Sequence, residues 1–173
     1  MPVQRLNHAV LFVRDVDRSA AFYRDVLGFR VKVEMPGRAV FLQAEGSTND
    51  HDLGLFAVGA AAGPSGAGRS TVGLYHLAWE VDTLAELVRI RGALAEAGAL
   101  TGASDHATTK ALYAQDPDGI EFEVSWLLPA DLITDEMRAE TATLARPRPL
   151  DLEAELARYG ADTRGGVGVS HGV

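Results

Sequence analysis

Two stretches of this chain follow one pattern, LNHAVLFV at residues 6–13 and LYHLAWEV at residues 74–81. Each has a histidine in its third position, which is His8 in the first stretch and His76 in the second. Both stretches are largely apolar and free of glycine and proline, so each predicts a β-strand. A strand that returns with its histidine in the same place indicates an internal repeat.

A predicted helix follows each strand, over about residues 17–27 and 83–97. Residues of the kinds that begin and end helices stand at both ends of each segment. They are Asp15 or Asp17 and then Gly28 for the first helix, and Asp82 or Thr83 and then Gly98 for the second. In the second helix, a spacing of three and four residues places on one face Leu84, Leu87, Val88, Arg91, Leu94 and Ala95.

Three apolar stretches separated by turn signals follow each helix. They cover about residues 29–35, 39–44 and 51–58 in the first half, and about 100–102, 110–115 and 120–127 in the second. The sequence therefore predicts two βαβββ repeats, at about residues 5–58 and 73–127, with a linker of small residues at 59–72. We expect them to form one domain over residues 1–128, followed by a helical extension with a flexible end over 129–173.

The composition excludes several classes of protein. The chain has 173 residues, a net charge of −8 and no cysteine. The acidic balance disfavours nucleic acid and anionic membranes as partners, and the lack of cysteine rules out disulfides, thiolate metal sites and a cysteine nucleophile. No apolar run approaches the roughly 20 residues that span a bilayer, and the first residues lack the pattern of a signal peptide. We therefore expect a cytoplasmic protein.

Repeat-equivalent positions suggest a metal site. Two copies of a βαβββ unit usually pair about a pseudo-twofold axis, which would bring His8 and His76 together. The last predicted strand of the second repeat adds a carboxylate, either Glu123 or Glu121, and the counterpart of Glu123 is Leu55, which cannot bind a metal. Two imidazoles and one carboxylate suit Fe(II), Mn(II) or another divalent ion, and they leave coordination positions open for substrates.

The segment DVDRSAAFYRDVLGF at residues 15–29, and the turn DPDG at 116–119 before a glutamate-bearing strand, resemble the vicinal oxygen chelate superfamily. This superfamily includes glyoxalase I, fosfomycin and bleomycin resistance proteins, methylmalonyl-CoA epimerase and extradiol dioxygenases. The resemblance covers about residues 5–127. It implies an α+β fold in which the paired βαβββ modules form a half-open mixed β-barrel.

Three local features resemble the extradiol ring-cleaving dioxygenases of the catechol 2,3-dioxygenase type. They are HDLGLF at residues 51–56, SDH at 104–106 followed by LY at 112–113, and GIEFEVSW at 119–126. The resemblance makes Glu123, rather than Glu121, the carboxylate ligand that joins His8 and His76. It also implies Fe(II) as the metal, with Mn(II) or another divalent ion as the alternative.

The same resemblance implies roles in catalysis. His51 would accept and return the proton of a catecholic substrate, and Tyr113 and His106 would hydrogen-bond the substrate or the oxygen. The expected function is therefore an Fe(II)-dependent dioxygenase that adds both atoms of O2 to a small aromatic diol and cleaves the ring next to the diol.

Two other functions stay open at this point. A glyoxalase-type isomerase, epimerase or lyase would use the same metal, although members of that type have a fourth ligand near the place of Leu55. A binding protein of the bleomycin-resistance type would sequester a small molecule without chemistry, although such proteins often lack the ligands. Because single-domain members commonly dimerise, we expect a homodimer, with no nucleic acid or membrane as partner.

Overall fold

The computed structural model describes residues 2–3, 5–67, 70–142 and 147–166. These residues form two compact units, one drawn from 1–66 with 116–120 and the other from 67–115 with 121–173. Within the described ranges, no helix combines the length and the apolar character needed to cross a membrane.

One helix and a four-stranded mixed sheet make up the first unit. Its elements are β1 (Ala9–Val13), α1 (Val16–Leu27), β2 (Arg30–Met35), β3 (Ala39–Gln43) and β4 (Leu53–Ala57). The strand order is β1-β4-β3-β2, in which β1 is parallel to β4 and the other pairs are antiparallel. All six residues of the edge strand β2 are exposed.

Helix α1 has both of the predicted end signals. The side chain of Asp15 accepts hydrogen bonds from the backbone N–H groups of Asp17 and Arg18, so Asp15 is the N-cap. Gly28 ends the helix in the left-handed region with φ of 76°. The helix packs on β3 and β4, where Leu55 is fully buried as a core residue. The apolar residues that α1 buries are Val16, Ala20, Tyr23 and Val26.

The turn at residues 116–120 belongs to the first unit. The backbone N–H and the Nη1 of Arg14 donate to the carboxylate of Asp118 at 2.7 and 2.9 Å. The hydroxyl of Tyr23 donates to Asp116 Oδ2 at 3.3 Å. Burial raises the pKa of both Tyr23 and Asp116, and the charge of Asp116 raises the pKa of Tyr23 further. The turn is thus held by hydrogen bonds from Arg14, which lies between β1 and α1, and from Tyr23 on α1.

The second unit repeats the plan of the first and adds a strand. Its elements are β5 (Leu77–Glu80), α2 (Leu84–Glu96), β6 (Leu100–Asp105), β7 (Thr109–Gln115), β8 (Glu121–Leu127) and, in the extension, β9 (Arg148–Pro149). The strand order is β5-β8-β7-β6-β9, again with only the first pair parallel. The α+β fold of two βαβββ modules is confirmed, and neither sheet closes on itself.

Helix α2 begins as predicted but buries a partly different face. The Oγ1 of Thr83 accepts from the backbone N–H of Glu86, so Thr83 is the N-cap. Ile90 is buried, whereas Arg91 and Ala95 are exposed, so the predicted face was wrong at these positions. The helix contacts β6, β7 and β8 through a stripe that includes Leu84, Leu87 and Leu94.

The residues after β8 also belong to the second unit. A 3-10 turn at Ala130–Leu132 is followed by α3 (Asp135–Ala142), β9 and α4 (Leu152–Tyr159), so the predicted helical extension is confirmed. The backbone N–H of Gly165 donates to the carbonyl of Asp82 at 2.8 Å, which brings the chain back to the module. Most of the predicted flexible end, residues 167–173, lies outside the described residues.

Candidate active site

Two histidines of the first unit lie side by side at the start of neighbouring strands. The parallel pairing of β1 and β4 sets Ala9 opposite Leu53, and Ala9 N donates to the carbonyl of Asp52 at 3.0 Å. His8 directly precedes β1 and His51 stands two residues before β4, so their ring centroids are only 4.5 Å apart. The sequence predicted both histidines inside strands, and the structure places both just before them.

In both rings, Nε2 is the nitrogen that is available to bind a metal or to accept a proton. His8 Nδ1 lies 2.7 Å from Asn7 Oδ1, and His51 Nδ1 lies 3.1 Å from the carboxylate of Asp50. Amide and carboxylate oxygens only accept hydrogen bonds, so Nδ1 carries the hydrogen in each neutral ring and Nε2 keeps its lone pair. That lone pair is what a metal ligand or a proton acceptor needs.

A side-chain network holds the loop that carries His51. The amide nitrogen of Asn49 donates to the backbone carbonyl of Asn7 and to Asp52 Oδ1, both at 2.7 Å. Ser47 Oγ also donates to Asp52 Oδ1 at 2.7 Å. Asn49 thus links the segment before β1 to the segment before β4. Sequence reasoning missed this residue, because it lies in an ordinary turn-like run of polar residues.

In the second unit the equivalent strand start brings an imidazole to a carboxylate. His76 directly precedes β5, and the β5–β8 register sets Ala78 opposite Glu123. His76 Nε2 lies 3.5 Å from Glu123 Oε2, and the two side chains are 26% and 15% exposed. Two donor atoms that each lie about 2.1 Å from one ion can be at most about 4.2 Å apart, so this pair fits a shared metal ion.

Tyr113 and His106 are joined beside that pair. Tyr113 lies on β7 directly across from Glu123, and its hydroxyl is 2.9 Å from His106 Nε2. The Tyr113 and His76 ring centroids are 6.2 Å apart. Burial and the charge of Glu123 raise the pKa of Tyr113 to about 12, so the phenol is protonated at neutral pH.

A cavity of about 200 Å³ opens at this cluster. Its lining includes His76 and Tyr113, and also Tyr75 and Glu121. The Tyr75 ring centroid is 4.6 Å from that of His76, and Tyr75 is 64% exposed. Nothing in the sequence distinguished this tyrosine except its place next to a predicted ligand. Glu121, the competing carboxylate, lines the cavity, whereas Glu123 is the carboxylate that lies beside His76.

The predicted site residues are therefore brought together in three pairs. They are His8 with His51 in the first unit, and His76 with Glu123 and His106 with Tyr113 in the second. In the part of the chain that the structure describes, no group of three or more histidine, aspartate or glutamate side chains is placed to hold a metal ion. The set of three ligands that includes His8 stays a prediction.

The sequence matches the model of one protein family over most of these elements. The family is described as the glyoxalase/bleomycin resistance protein/dioxygenase superfamily, and the match covers residues 5–124. The chain belongs to this superfamily. It is the vicinal oxygen chelate group that the repeat and the turn motifs resemble, so the family prediction is confirmed.

Relatives within the superfamily carry dioxygenase names. The chain is 34% identical over 127 residues to a catechol-2,3-dioxygenase of Bacillus subtilis, an alignment that covers 69% of this chain and 40% of that protein. It is 31% identical over 147 residues to biphenyl-2,3-diol 1,2-dioxygenase 3 of Rhodococcus globerulus, covering 80% of this chain and 73% of that one. The chain thus spans less than half of the Bacillus enzyme.

Solved structures of the superfamily share the fold. A glyoxalase/bleomycin resistance protein/dioxygenase domain from Frankia has a TM-score of 0.61 at 24% identity, covering 72% of this chain and 92% of that domain. A lactoylglutathione lyase from Agrobacterium tumefaciens has a TM-score of 0.53 at 23% identity, covering 72% and 95%. These likenesses concern architecture, which the superfamily uses for several reactions.

Proposed function

We propose that this chain is a metal-dependent extradiol dioxygenase, which cleaves a catecholic ring with O2 next to its two hydroxyl groups. The observation that carries the proposal is a cluster in the second unit, in which His76 lies beside Glu123 and Tyr113 is joined to His106. His76 and Tyr113 of this cluster line the cavity. A carboxylate–imidazole pair offers metal ligands, and the tyrosine–histidine pair offers hydrogen bonds next to them. The two relatives with diol dioxygenase names support the same reaction.

The proposed metal is Fe(II), held by His76 and Glu123 with His8 as the third ligand that the repeat and the resemblance predict. The donor set of the second unit fits such an ion, because an imidazole nitrogen and a carboxylate oxygen lie 3.5 Å apart. When bound, the ion would supply the Lewis acidity that favours a deprotonated diol and would hold the diol and O2 next to each other.

The remaining side chains would handle protons and developing charge. His51 is the proposed acid–base residue, because the carboxylate of Asp50 fixes its Nδ1 as the donor and leaves Nε2 to accept a hydroxyl proton and later return it. The protonated hydroxyl of Tyr113, joined to His106, would hydrogen-bond an oxygen atom of the substrate as its charge grows. Tyr75, which is exposed at the cavity, would contact the substrate ring.

The test is turnover of the Fe(II)-loaded protein. We would load the chain with Fe(II) without air, add a panel of catechols (unsubstituted, 3-methyl, 4-methyl, 3-phenyl and protocatechuate) and then admit air. We expect a yellow semialdehyde product from at least one of these diols. If the iron-bound protein consumes no O2 with any diol but converts a thiohemiacetal or binds a drug, the glyoxalase-type or resistance-type function replaces the proposal.

A matched pair of variants tests the proposed ligand on β8. Glu123→Gln should reduce the iron retained after gel filtration by about tenfold or more, because a charged ligand becomes a neutral amide. Glu121→Gln makes the same change two residues away and should leave iron retention within about twofold of the original chain. If Glu121→Gln loses the iron and Glu123→Gln keeps it, the ligand assignment is wrong even if the chain is a dioxygenase.

A further inference from the structure

A buried lysine lies on the face of β7 that points away from the cavity. Lys110 is 1% exposed, and its Nζ lies 2.6 Å from Asp105 Oδ1 on β6 and 3.1 Å from Glu155 Oε2 on α4. The first contact is a hydrogen bond, and the second is an ion pair without hydrogen-bond alignment. Lys110 and Tyr113 are three residues apart on one strand, so they point to opposite faces of the sheet.

The stability of the fold alone does not explain why a lysine is buried at this position. Burying an ammonium group is costly, and replacing a buried ion pair with apolar side chains is often neutral or stabilising. Buried charged groups are best explained where they select one local arrangement of the chain. The question is therefore which arrangement the Lys110–Asp105 pair selects.

Asp105 fixes a strained turn whose central residues include His106. Its Oδ1, which Lys110 contacts, also accepts from the backbone N–H of Ala107 at 2.9 Å. Ala107 has φ of 65°, a left-handed conformation that is unfavourable for any residue with a side chain and that neighbouring contacts must hold. The backbone N–H of His106 closes the turn by donating to the carbonyl of Thr109 at 2.9 Å.

The C-terminal extension completes the contacts to this turn. Arg148 on β9 pairs with Asp105 in the sheet, and its Nη2 lies 3.1 Å from Asp105 Oδ2. Its Nη1 lies 3.0 Å from Glu140 of α3. Each oxygen of Asp105 thus has its own cation, and Glu155 provides a second anion for the lysine. Although burial would raise the pKa of Asp105, Lys110, the Ala107 N–H and Arg148 together lower it.

We infer that Lys110 is a positioning residue for His106 and that the C-terminal extension, through Glu155 and Arg148, holds Lys110 and Asp105 in place for this role. The chain of contacts runs from α4 through Lys110 and Asp105 to the turn, and from His106 Nε2 to the Tyr113 hydroxyl 2.9 Å away. The extension thus acts on the cavity from the opposite face of the sheet. The catalytic meaning of this inference rests on the proposed function, but the positioning itself does not.

Three variants separate positioning from general stability. Lys110→Met removes the buried charge, and Glu155→Gln removes the anion that α4 brings to it. Glu153→Gln makes the same chemical change on the exposed side of α4 and serves as the matched control. The readout is the long-range ¹⁵N–¹H spectrum of the histidine rings at a temperature where each variant is folded, with the His106 signals assigned from a His106→Asn variant.

We expect Lys110→Met and Glu155→Gln to shift the ring nitrogen signals of His106 while those of His51 stay in place. Glu153→Gln should leave all of these signals unchanged. If Lys110→Met does not fold, the spectrum of Glu155→Gln alone tests the inference, because this variant leaves the Lys110–Asp105 pair intact. Folded variants in which the His106 signals do not move would overturn the inference.

Kinetics add a second, separate result. With a catechol that the original chain cleaves, Glu155→Gln should lower kcat by about threefold to tenfold and leave KM within about twofold, because a misplaced hydrogen-bonding pair affects the reaction more than ground-state binding. Equal kcat values for Glu155→Gln and Glu153→Gln would contradict the inference. If the original chain cleaves no diol, the proposed function fails, and the ring spectrum still decides the positioning role.

Discussion

The residues that the sequence singled out for chemistry lie just before strands, on strands or, for His106, in the turn between β6 and β7. The histidine shared by the two repeats was the strongest sign, and in each unit it stands directly before the first strand of the module. His51, Glu123, Tyr113 and His106 needed the resemblance, because a lone histidine or tyrosine in an apolar run has no distinctive spacing. Asn49 and Lys110 could not be predicted, since their importance comes from contacts with segments distant in sequence.

Asn49 should matter for stability and for activity alike. Asn49→Ala removes three side-chain hydrogen bonds: the amide nitrogen donates to Asn7 O and Asp52 Oδ1 at 2.7 Å, and Oδ1 accepts from Arg5 Nη2 at 2.6 Å. Their loss should lower the free energy of unfolding by about 1–2 kcal/mol. Because the loop then loosens, kcat on a diol should also fall. Urea unfolding and steady-state kinetics measure both effects. Thr48→Ala, an exposed change in the same loop, should leave both within error; a Thr48→Ala variant as impaired as Asn49→Ala would refute this role.

The carboxylate of Asp105 should give a specific pH dependence of stability. Its pKa in the folded chain is lowered from 3.8: burial opposes the shift, and the contacts with Lys110, Ala107 and Arg148 produce it. A lowered pKa contributes stability that is fully present above the unfolded pKa and is lost as pH falls through the folded value. The difference in unfolding free energy between the original chain and Asp105→Asn should therefore be largest near neutral pH and shrink below about pH 4. A difference that stays constant from about pH 6 to pH 2 would contradict the assignment.

At the scale of elements, local signals predicted the helices well and the strand ends poorly. The N-cap and glycine signals fixed the limits of α1 and α2 within about one residue. The starts of β1, β4 and β5 were predicted two or three residues too early, and β6 continues three residues past its predicted end at 102. The short strand β9 is an arginine followed by a proline, so only its pairing with β6 makes it a strand.

Gly28 should be needed at the end of α1 because of its backbone conformation and not because a side chain would be crowded there. A Cβ at this position would meet no atom within 4 Å, yet φ is +76°, so Gly28→Ala should cost about 1 kcal/mol through strain only. Gly46 has equally open surroundings without a positive φ, so Gly46→Ala should be neutral or slightly stabilising. Thermal or urea unfolding compares the two. Equal costs for both variants would show that strain at Gly28 is not the cause.

At the scale of the whole molecule, the repeat predicted two modules of the same topology, and the structure has them. The sequence also predicted the helical character of the extension, but not that it would be part of the second unit's sheet and ion-pair network. The ion-pair network depends on a buried lysine, whereas a charged residue in a predicted strand is expected to be exposed to solvent. The net charge of −8 disfavours a nucleic acid as partner.

The expected homodimer is a prediction for the whole chain. It is based on the tendency of single-domain members of the superfamily to dimerise. The exposed apolar side chains of Val10, Phe12 and Val33 in the first unit are consistent with it. Sedimentation equilibrium should give a mass of two chains of 18.4 kDa. A mass of one chain across the micromolar range would contradict it.

Ring cleavage coupled to oxygen uptake tests the central claim most directly. The Fe(II)-loaded chain would be mixed with the best catechol of the panel, and O2 consumption and the visible absorbance of the product would be recorded together. The account predicts one O2 consumed per ring opened, with a yellow product and no free peroxide. Iron-bound protein that forms no product while O2 stays constant, or that consumes O2 only to release peroxide, would contradict the dioxygenase assignment.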